Sequence, residues 1–315
     1  MSILKKALAA AVVAGLVSTV GVVPANAAPK NQARSVAQPD WLEANLDNPK
    51  VRIIEVSTEP GIYERGHIKN AIKFVWHTDL VDTVNRDIIN AKNFSKLVQK
   101  AGISDDTTVV LYGDKNNWFA AWGAWIFNIY GQKDVRVLDG GRVKWEKDGR
   151  ALTTAVPTFS AGNFVANKAD KSLRATLIND VLPVAKKRVK ADLIDIRGAD
   201  EYNGKIFAAP GFQELAVRAG HIPGAINVPW GANVNADGTF KTVAELKKLY
   251  ADKGVDGKQN IITYCRIGER SSLTWFVLSE ILGYNVKNYD GSWTEYGNSV
   301  GVPIVNNAGT IWGAA

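Results

Sequence analysis

The order of signals along the first half of the chain recurs along the second, and this duplication limits the possible folds more than any other feature. The first half carries a β-like run, Val51-Arg52-Ile53-Ile54-Glu55-Val56, then Arg65-Gly66-His67-Ile68-Lys69-Asn70-Ala71-Ile72, then a strand pattern at Thr108-Val109-Val110-Leu111-Tyr112. A helix-like run from Trp118 to Ile129 and the segment Val135-Arg136-Val137-Leu138-Asp139-Gly140-Gly141 follow. The second half repeats the order with Asp192-Leu193-Ile194-Asp195-Ile196-Arg197, Ala219-Gly220-His221-Ile222-Pro223-Gly224-Ala225-Ile226, Asn260-Ile261-Ile262-Thr263-Tyr264, a helix-like run from Ser271 to Leu282, and Val286-Lys287-Asn288-Tyr289-Asp290-Gly291. A period of about 140 residues is too long for a solenoid and marks a duplicated domain. Short apolar runs alternating with helical patterns predict an α/β fold of two domains, each a mostly parallel sheet with helices on both faces. The expected division is a leader at 1–27, domains at 36–150 and 188–304, a linker at 151–187 and a tail at 305–315. The segment Ala161 to Ala169 is a candidate extra strand, and the Gly/Ala-rich tail is expected to fray.

Met1 to Ala27 reads as a secretory leader: Lys5 and Lys6, an apolar run from Ala7 to Val23, and Ala25-Asn26-Ala27 as a cleavage site. A retained membrane anchor is the alternative. After cleavage no apolar run approaches the roughly 18 residues of a membrane span, so a periplasmic or secreted protein is expected. Loss of Lys5 and Lys6 with the leader lowers the net charge from +7 to +5, a mild excess without a dense Lys/Arg stripe, which fits small anionic ligands and argues against nucleic acid.

The sequence contains a single cysteine, Cys265, which excludes an internal disulfide, a CxxC redox pair and a multi-cysteine metal site. In parallel sheets ligands gather beyond the carboxyl ends of the strands, at helix N-termini. Two segments have that character, Tyr112-Gly113-Asp114 and Tyr264-Cys265-Arg266, and Cys265 sits in the second. In Cys265-Arg266-Ile267-Gly268-Glu269-Arg270-Ser271-Ser272, successive backbone N–H groups can curl around a sulfur anion, a helix dipole faces it, and Arg266 and Arg270 add charge. Each favours the thiolate over the thiol. Gly268 permits a tight turn, and Ser271 or Ser272 can cap the helix. Phosphate-cradling loops of the Cys-x5-Arg type place Arg where this chain has Ser271. With Arg270 one residue early, the loop is shorter and suits a smaller group, such as the outer sulfur of a persulfide.

On these residues the sequence resembles the tandem-domain rhodaneses, in particular bacterial thiosulfate sulfurtransferases whose active loop reads Cys-Arg-Ile-Gly-Glu-Arg-Ser. The likeness runs from Val36 to Ile304 and is carried by the segment Gly220 to Trp230, by the Cys265 loop with Thr274 to Leu278, and by Asn288 to Tyr296. The resemblance implies that Cys265 takes sulfur from thiosulfate as a persulfide, releases sulfite and passes the sulfur to cyanide or a thiol, with no metal or organic cofactor. Arg266, Ile267, Gly268, Glu269, Arg270 and Ser271 would bind substrate. Arg266 is expected to face the departing sulfite, with Arg270 paired to Glu269 or another acid, and Glu269 adds a negative charge. Ile267 and Glu201 stand where some thiosulfate-using relatives have cations. A 3-mercaptopyruvate donor is the nearest enzymatic alternative, although Arg266 stands where such relatives have Gly. A non-catalytic sulfur or selenium carrier, or a binding module serving a protein acceptor of the cell envelope, is the other.

With Gly113 in place of a cysteine, the first half is expected to be catalytically silent and to wall the cleft. Trp118 and Phe119 are candidates for the pocket or for helix core. Asp195, the counterpart of Glu55, is a candidate to orient the loop or to bond a sheet end, and Arg197 to form an ion pair. His67 and His221 match each other and are expected to be structural.

Overall fold

The computed structural model describes residues 32–213 and 215–313, so the expected leader, Met1 to Ala27, lies outside the described residues. In chain order the first half forms β1 (Val36–Ala37), β2 (Val51–Glu55), β3 (Ala71–Lys73), a hairpin of β4 (Val81–Asp82) and β5 (Asp87–Ile88), then β6 (Thr108–Tyr112) and β7 (Asp134–Leu138). The second half forms β8 (Asp192–Asp195), β9 (Ile226–Asn227), β10 (Ile261–Tyr264) and β11 (Val286–Asn288). Two parallel sheets result, ordered β1-β7-β6-β2-β3 and β11-β10-β8-β9. Only β4 and β5 pair antiparallel among the named strands. Runs such as Thr108–Tyr112 and Ile261–Tyr264 are apolar along both faces because helices cover both sides of each sheet.

In the second sheet the chain steps from β8 outward to β9, then returns past β8 to β10 and on to β11. The loop after β10 therefore opens where the strand order reverses, the place where such sheets leave a crevice. The loop after β6 has the same position in the first sheet.

The helix Trp118–Ile129 is apolar around its whole circumference and packs between its own sheet and the helix Glu269–Phe276 of the other half. One apolar core consequently runs through both halves, from Ile54 and Trp122 to Ile194, Phe276 and Cys265 itself. The outer faces of the sheets have separate clusters around Trp145 and Trp293.

The duplication extends to side chains. Tyr112 pairs in register with Glu55 and Tyr264 with Asp195. Each tyrosine hydroxyl accepts a backbone N–H, from Ile68 at 3.0 Å and Ile222 at 3.2 Å. His67 stacks on Tyr63 and His221 on Tyr202, and each places Nδ1 on the carbonyl of that tyrosine. Burial holds the His221 imidazole below its ordinary pKa.

Two expectations are corrected. Ala161 to Ala169 forms no strand: the Gly162, Phe164 and Asn167 N–H groups donate to Gln99, Ile103 and Tyr130 carbonyls, which belong to helix ends and turns and offer no ladder. The tail is not frayed through its described length. His221 and Val305 exchange backbone bonds of 2.8 and 2.9 Å, Ala308 N–H donates to Asn203 O at 3.0 Å, and Ile311 bridges Arg218.

Candidate active site

Cys265 is the first residue beyond β10 and is completely buried. Its sulfur accepts the Gly268 N–H at 3.1 Å, and the Ser292 hydroxyl lies 4.0 Å away. Gly268 is at φ +106°, and a Cβ there would fall 2.6 Å from the Asp290 Cα, so the turn admits only glycine. The Gly268 carbonyl lies within bonding distance of Ser271 Oγ (2.8 Å), Ser272 Oγ (3.0 Å) and Asn288 Nδ2 (3.2 Å). The two serines therefore brace the turn instead of capping the helix, whose N-cap is Gly268 with no side-chain bond. Ser271, expected at the substrate, is buried on Gly268 and Asn288.

Below the turn, the helix Ser292–Asn298 points its first amides at the loop. Trp293 and Thr294 N–H groups donate to the carbonyls of Cys265 (3.0 Å) and Arg266 (2.9 Å), while the Cys265 N–H donates to Ser292 Oγ at 3.1 Å. With those carbonyls tied down, the Gly268 N–H and, farther off, the Ser292 hydroxyl are the groups that face the sulfur, and both can donate to an anion.

The two arginines part company. Arg266 reaches outward, donating to the Gln213 carbonyl at 2.9 Å and lying 5.3 Å over the Phe212 ring. Arg270 is only 8% exposed. Its Nη2 is 3.5 Å from Glu201 Oε1, near enough for charge attraction but without a hydrogen bond. Arg270 also lies over Trp118 and Phe212. Trp118 packs edge-on against Trp230 of the other half at 4.7 Å, and its Nε1 also has no partner. A buried guanidinium and a buried indole N–H, both with unspent donors, are what a bound anion would satisfy. Arg270 does pair with an acid, Glu201 instead of Glu269, but of the two arginines it is Arg270, not Arg266, that is buried beside the turn.

Glu269 also departs from expectation. The residue is 2% exposed, and burial pushes its pKa up to about 8, against the opposing pull of Arg86. At neutral pH it is largely protonated and adds little negative charge to the loop.

Phe119 packs on Trp76 and is half-buried. Asp195 and Arg197 pair at 2.6 Å, and Arg197 also holds the Gly220 carbonyl, so both support the end of β8 beside Tyr264. Their first-half counterpart is Glu55 with Arg142, at 3.0 Å. Ile267 is half-buried, and its carbonyl accepts from Arg86 at 2.7 Å.

In the first half the equivalent loop is closed. A Cβ on Gly113 would lie 2.3 Å from the Val56 carbonyl oxygen. Asn117 Oδ1 accepts the Gly113 N–H, and Asp114 takes the N–H groups of Thr58 and Glu59. Sequence reasoning missed Arg86, Arg174, Asp290 and Ser292 as parts of the site. Asp290 and Ser292 had a signal, since Asp290-Gly291 matches Asp139-Gly140 of the first half; Arg86 had none. Among the described residues, no group of three or more His, Cys, Asp and Glu side chains is arranged to hold a metal ion.

Residues 38–148 and 182–299 each match the family model described as Rhodanese-like domain. A Mycolicibacterium smegmatis protein named "Putative thiosulfate sulfurtransferase" is 51% identical over 267 residues, 84% of this chain and 95% of that protein. "Sulfur carrier protein TtuD" of Thermus thermophilus is 51% identical over 269 residues, 84% of this chain and 94% of that protein. The crystal structure of SseA from Escherichia coli, titled as a 3-mercaptopyruvate sulfotransferase, is 27% identical with a TM-score of 0.69, covering 82% of this chain and 98% of that one.

Proposed function

Because the chain belongs to the rhodanese-like family of sulfurtransferases, we propose that it is an exported enzyme that moves sulfane sulfur from thiosulfate to a thiophilic acceptor through a persulfide on Cys265. The observation that carries this reading is the Cys265 sulfur facing the Gly268 N–H in a turn beside the buried, incompletely bonded Arg270. The Cys265 thiolate attacks the outer sulfur of thiosulfate. The new S–S bond forms as the old one breaks, and sulfite leaves with the electron pair. Arg270 and the Trp118 indole N–H are the donors for its oxygens. The terminal sulfur of the persulfide carries the negative charge, and the turn amides hold it. Cyanide or a thiolate then takes that sulfur and restores the Cys265 thiolate. An exported protein would meet both partners outside the cytoplasm, with a cell-envelope protein as one class of acceptor.

Intact mass after incubation with thiosulfate tests the reading: one added sulfur on the wild type, none on Cys265→Ser, and loss of the added sulfur when cyanide or a thiol follows. Loading from 3-mercaptopyruvate but not thiosulfate would replace the donor. Loading without turnover by any acceptor would favour a carrier, the role in the name of the Thermus relative.

A further inference from the structure

The half without a cysteine makes a contact with the active loop that walling the cleft does not require. Arg86 sits at the tip of the β4–β5 hairpin, with φ +54°, a left-handed backbone that costs a non-glycine residue energy. From there its Nη2 donates to the Ile267 carbonyl at 2.7 Å and to the Asp290 carbonyl at 3.3 Å, and its Nη1 lies 3.7 Å from the Asp290 carboxylate. The adjacent Asp87 binds Arg174 at 2.6 Å, and Arg174 grips Asp290 with two bonds of 3.0 Å. Two neighbouring residues of one hairpin thus converge on the loop and on the Asp290 backbone against which Gly268 packs.

Ile267 O and Gly268 N–H belong to the same peptide unit, and in a trans peptide the two point in opposite directions. Arg86 holds the carbonyl on one side, and the Gly268 N–H meets Cys265 Sγ at 3.1 Å on the other. Fixing the carbonyl fixes the N–H. A charged donor on the oxygen also polarises the peptide and strengthens its N–H as a donor.

We infer that Arg86 is a positioning residue for sulfur transfer: by holding the Ile267 carbonyl, it keeps the Gly268 N–H aimed at the Cys265 sulfur. The inference rests on the persulfide reading above, and it makes the silent half a working part of the active loop.

The test compares wild type, Arg86→Ala and Arg86→Lys, with thermal melts to establish that each is folded. Single-turnover loading of Cys265 from thiosulfate falls about tenfold in Arg86→Ala, the scale of losing one charge-assisted hydrogen bond. Half-saturating thiosulfate moves less than about twofold, because Arg86 does not touch the donor, and Arg86→Lys, which keeps the charge but lacks the fork that reaches two carbonyls and the Asp290 carboxylate, recovers loading in part, above Arg86→Ala and below wild type. Amide hydrogen exchange rises in Arg86→Ala across residues 265–269 and stays unchanged in the helix Trp118–Ile129. Should the alanine variant not fold, Arg86→Gln carries the same comparison. Wild-type loading rates in a folded Arg86→Ala protein overturn the assignment. So does exchange that rises across the whole domain interface without rescue by lysine. Exchange reads the loop with no sulfur donor present, so a wild type that never loads sulfur counts against the proposed reaction, while the exchange result still decides for or against Arg86.

Discussion

Replacing Glu269 by glutamine probes the least expected group in the loop. The carboxyl is buried, its Oε2 has no hydrogen-bond partner, and it titrates at about 8 where an ordinary glutamate titrates near 4.5. The unfolded chain releases this proton near pH 4.5, while the folded protein keeps it until about pH 8. Between those values the folded state binds more protons than the unfolded one, so stability falls as pH rises. The contribution is fully present below pH 4.5 and is lost as pH climbs through the folded value. One proton corresponds to about 1.4 kcal/mol for each pH unit inside the window, on the order of 5 kcal/mol across all of it, with local opening of the loop as a ceiling. Glutamine has nearly the same shape and never ionises. Urea unfolding of wild type and Glu269→Gln at about pH 5.5, 6.5 and 7.5 isolates the effect, since every other titrating group is common to both. The variant should gain on the wild type by about 1.4 kcal/mol for each unit of rising pH. A stability difference that is the same at all three values, or that shrinks as pH rises, refutes a carboxyl kept neutral by burial. Activity should follow: above pH 8 the wild type acquires a negative charge beside the Cys265 turn and loads an anionic donor more slowly, while Glu269→Gln does not.

Arg270→Ala should slow single-turnover loading from thiosulfate by about 10² and Arg266→Ala by less, because the buried cation is Arg270; the reverse ranking would return the inward role to Arg266. Gly268→Ala should lower the melting temperature and abolish loading, since its Cβ meets the Asp290 backbone at 2.6 Å and its φ of +106° is strained for alanine; retained loading would show that the turn yields. Gly113→Cys should give an unstable protein with no second persulfide, because its Cβ would lie 2.3 Å from the Val56 oxygen; a mass gain of two sulfurs would contradict the closed first-half loop.

The two parallel sheets and the place of Cys265 were legible in the linear order of residues because strand, turn and helix are local events. Apolar β-branched runs such as Thr108 to Tyr112 and Asn260 to Tyr264 specify buried strands, and a cysteine one residue past such a run must lie at a strand's carboxyl end. Gly268 was readable for the same reason, since the bend it allows depends on its own backbone. The histidine pairs could be judged structural because the repeat put them in matching positions, where the structure gives them matching bonds. The charges could not be ranked in this way. Arg266 and Arg270 are four residues apart in one loop, yet one reaches a carbonyl at the surface and the other is buried against Trp118 from the opposite half. Glu269 reads as an anion until its burial is known, and the serines read as helix caps until the Gly268 carbonyl is found beside them. Arg86 lies 181 positions from the carbonyl it holds. Desolvation and charge pairing depend on distances through space, and the packing of two half-molecules around one apolar core sets those distances. No window of sequence contains them.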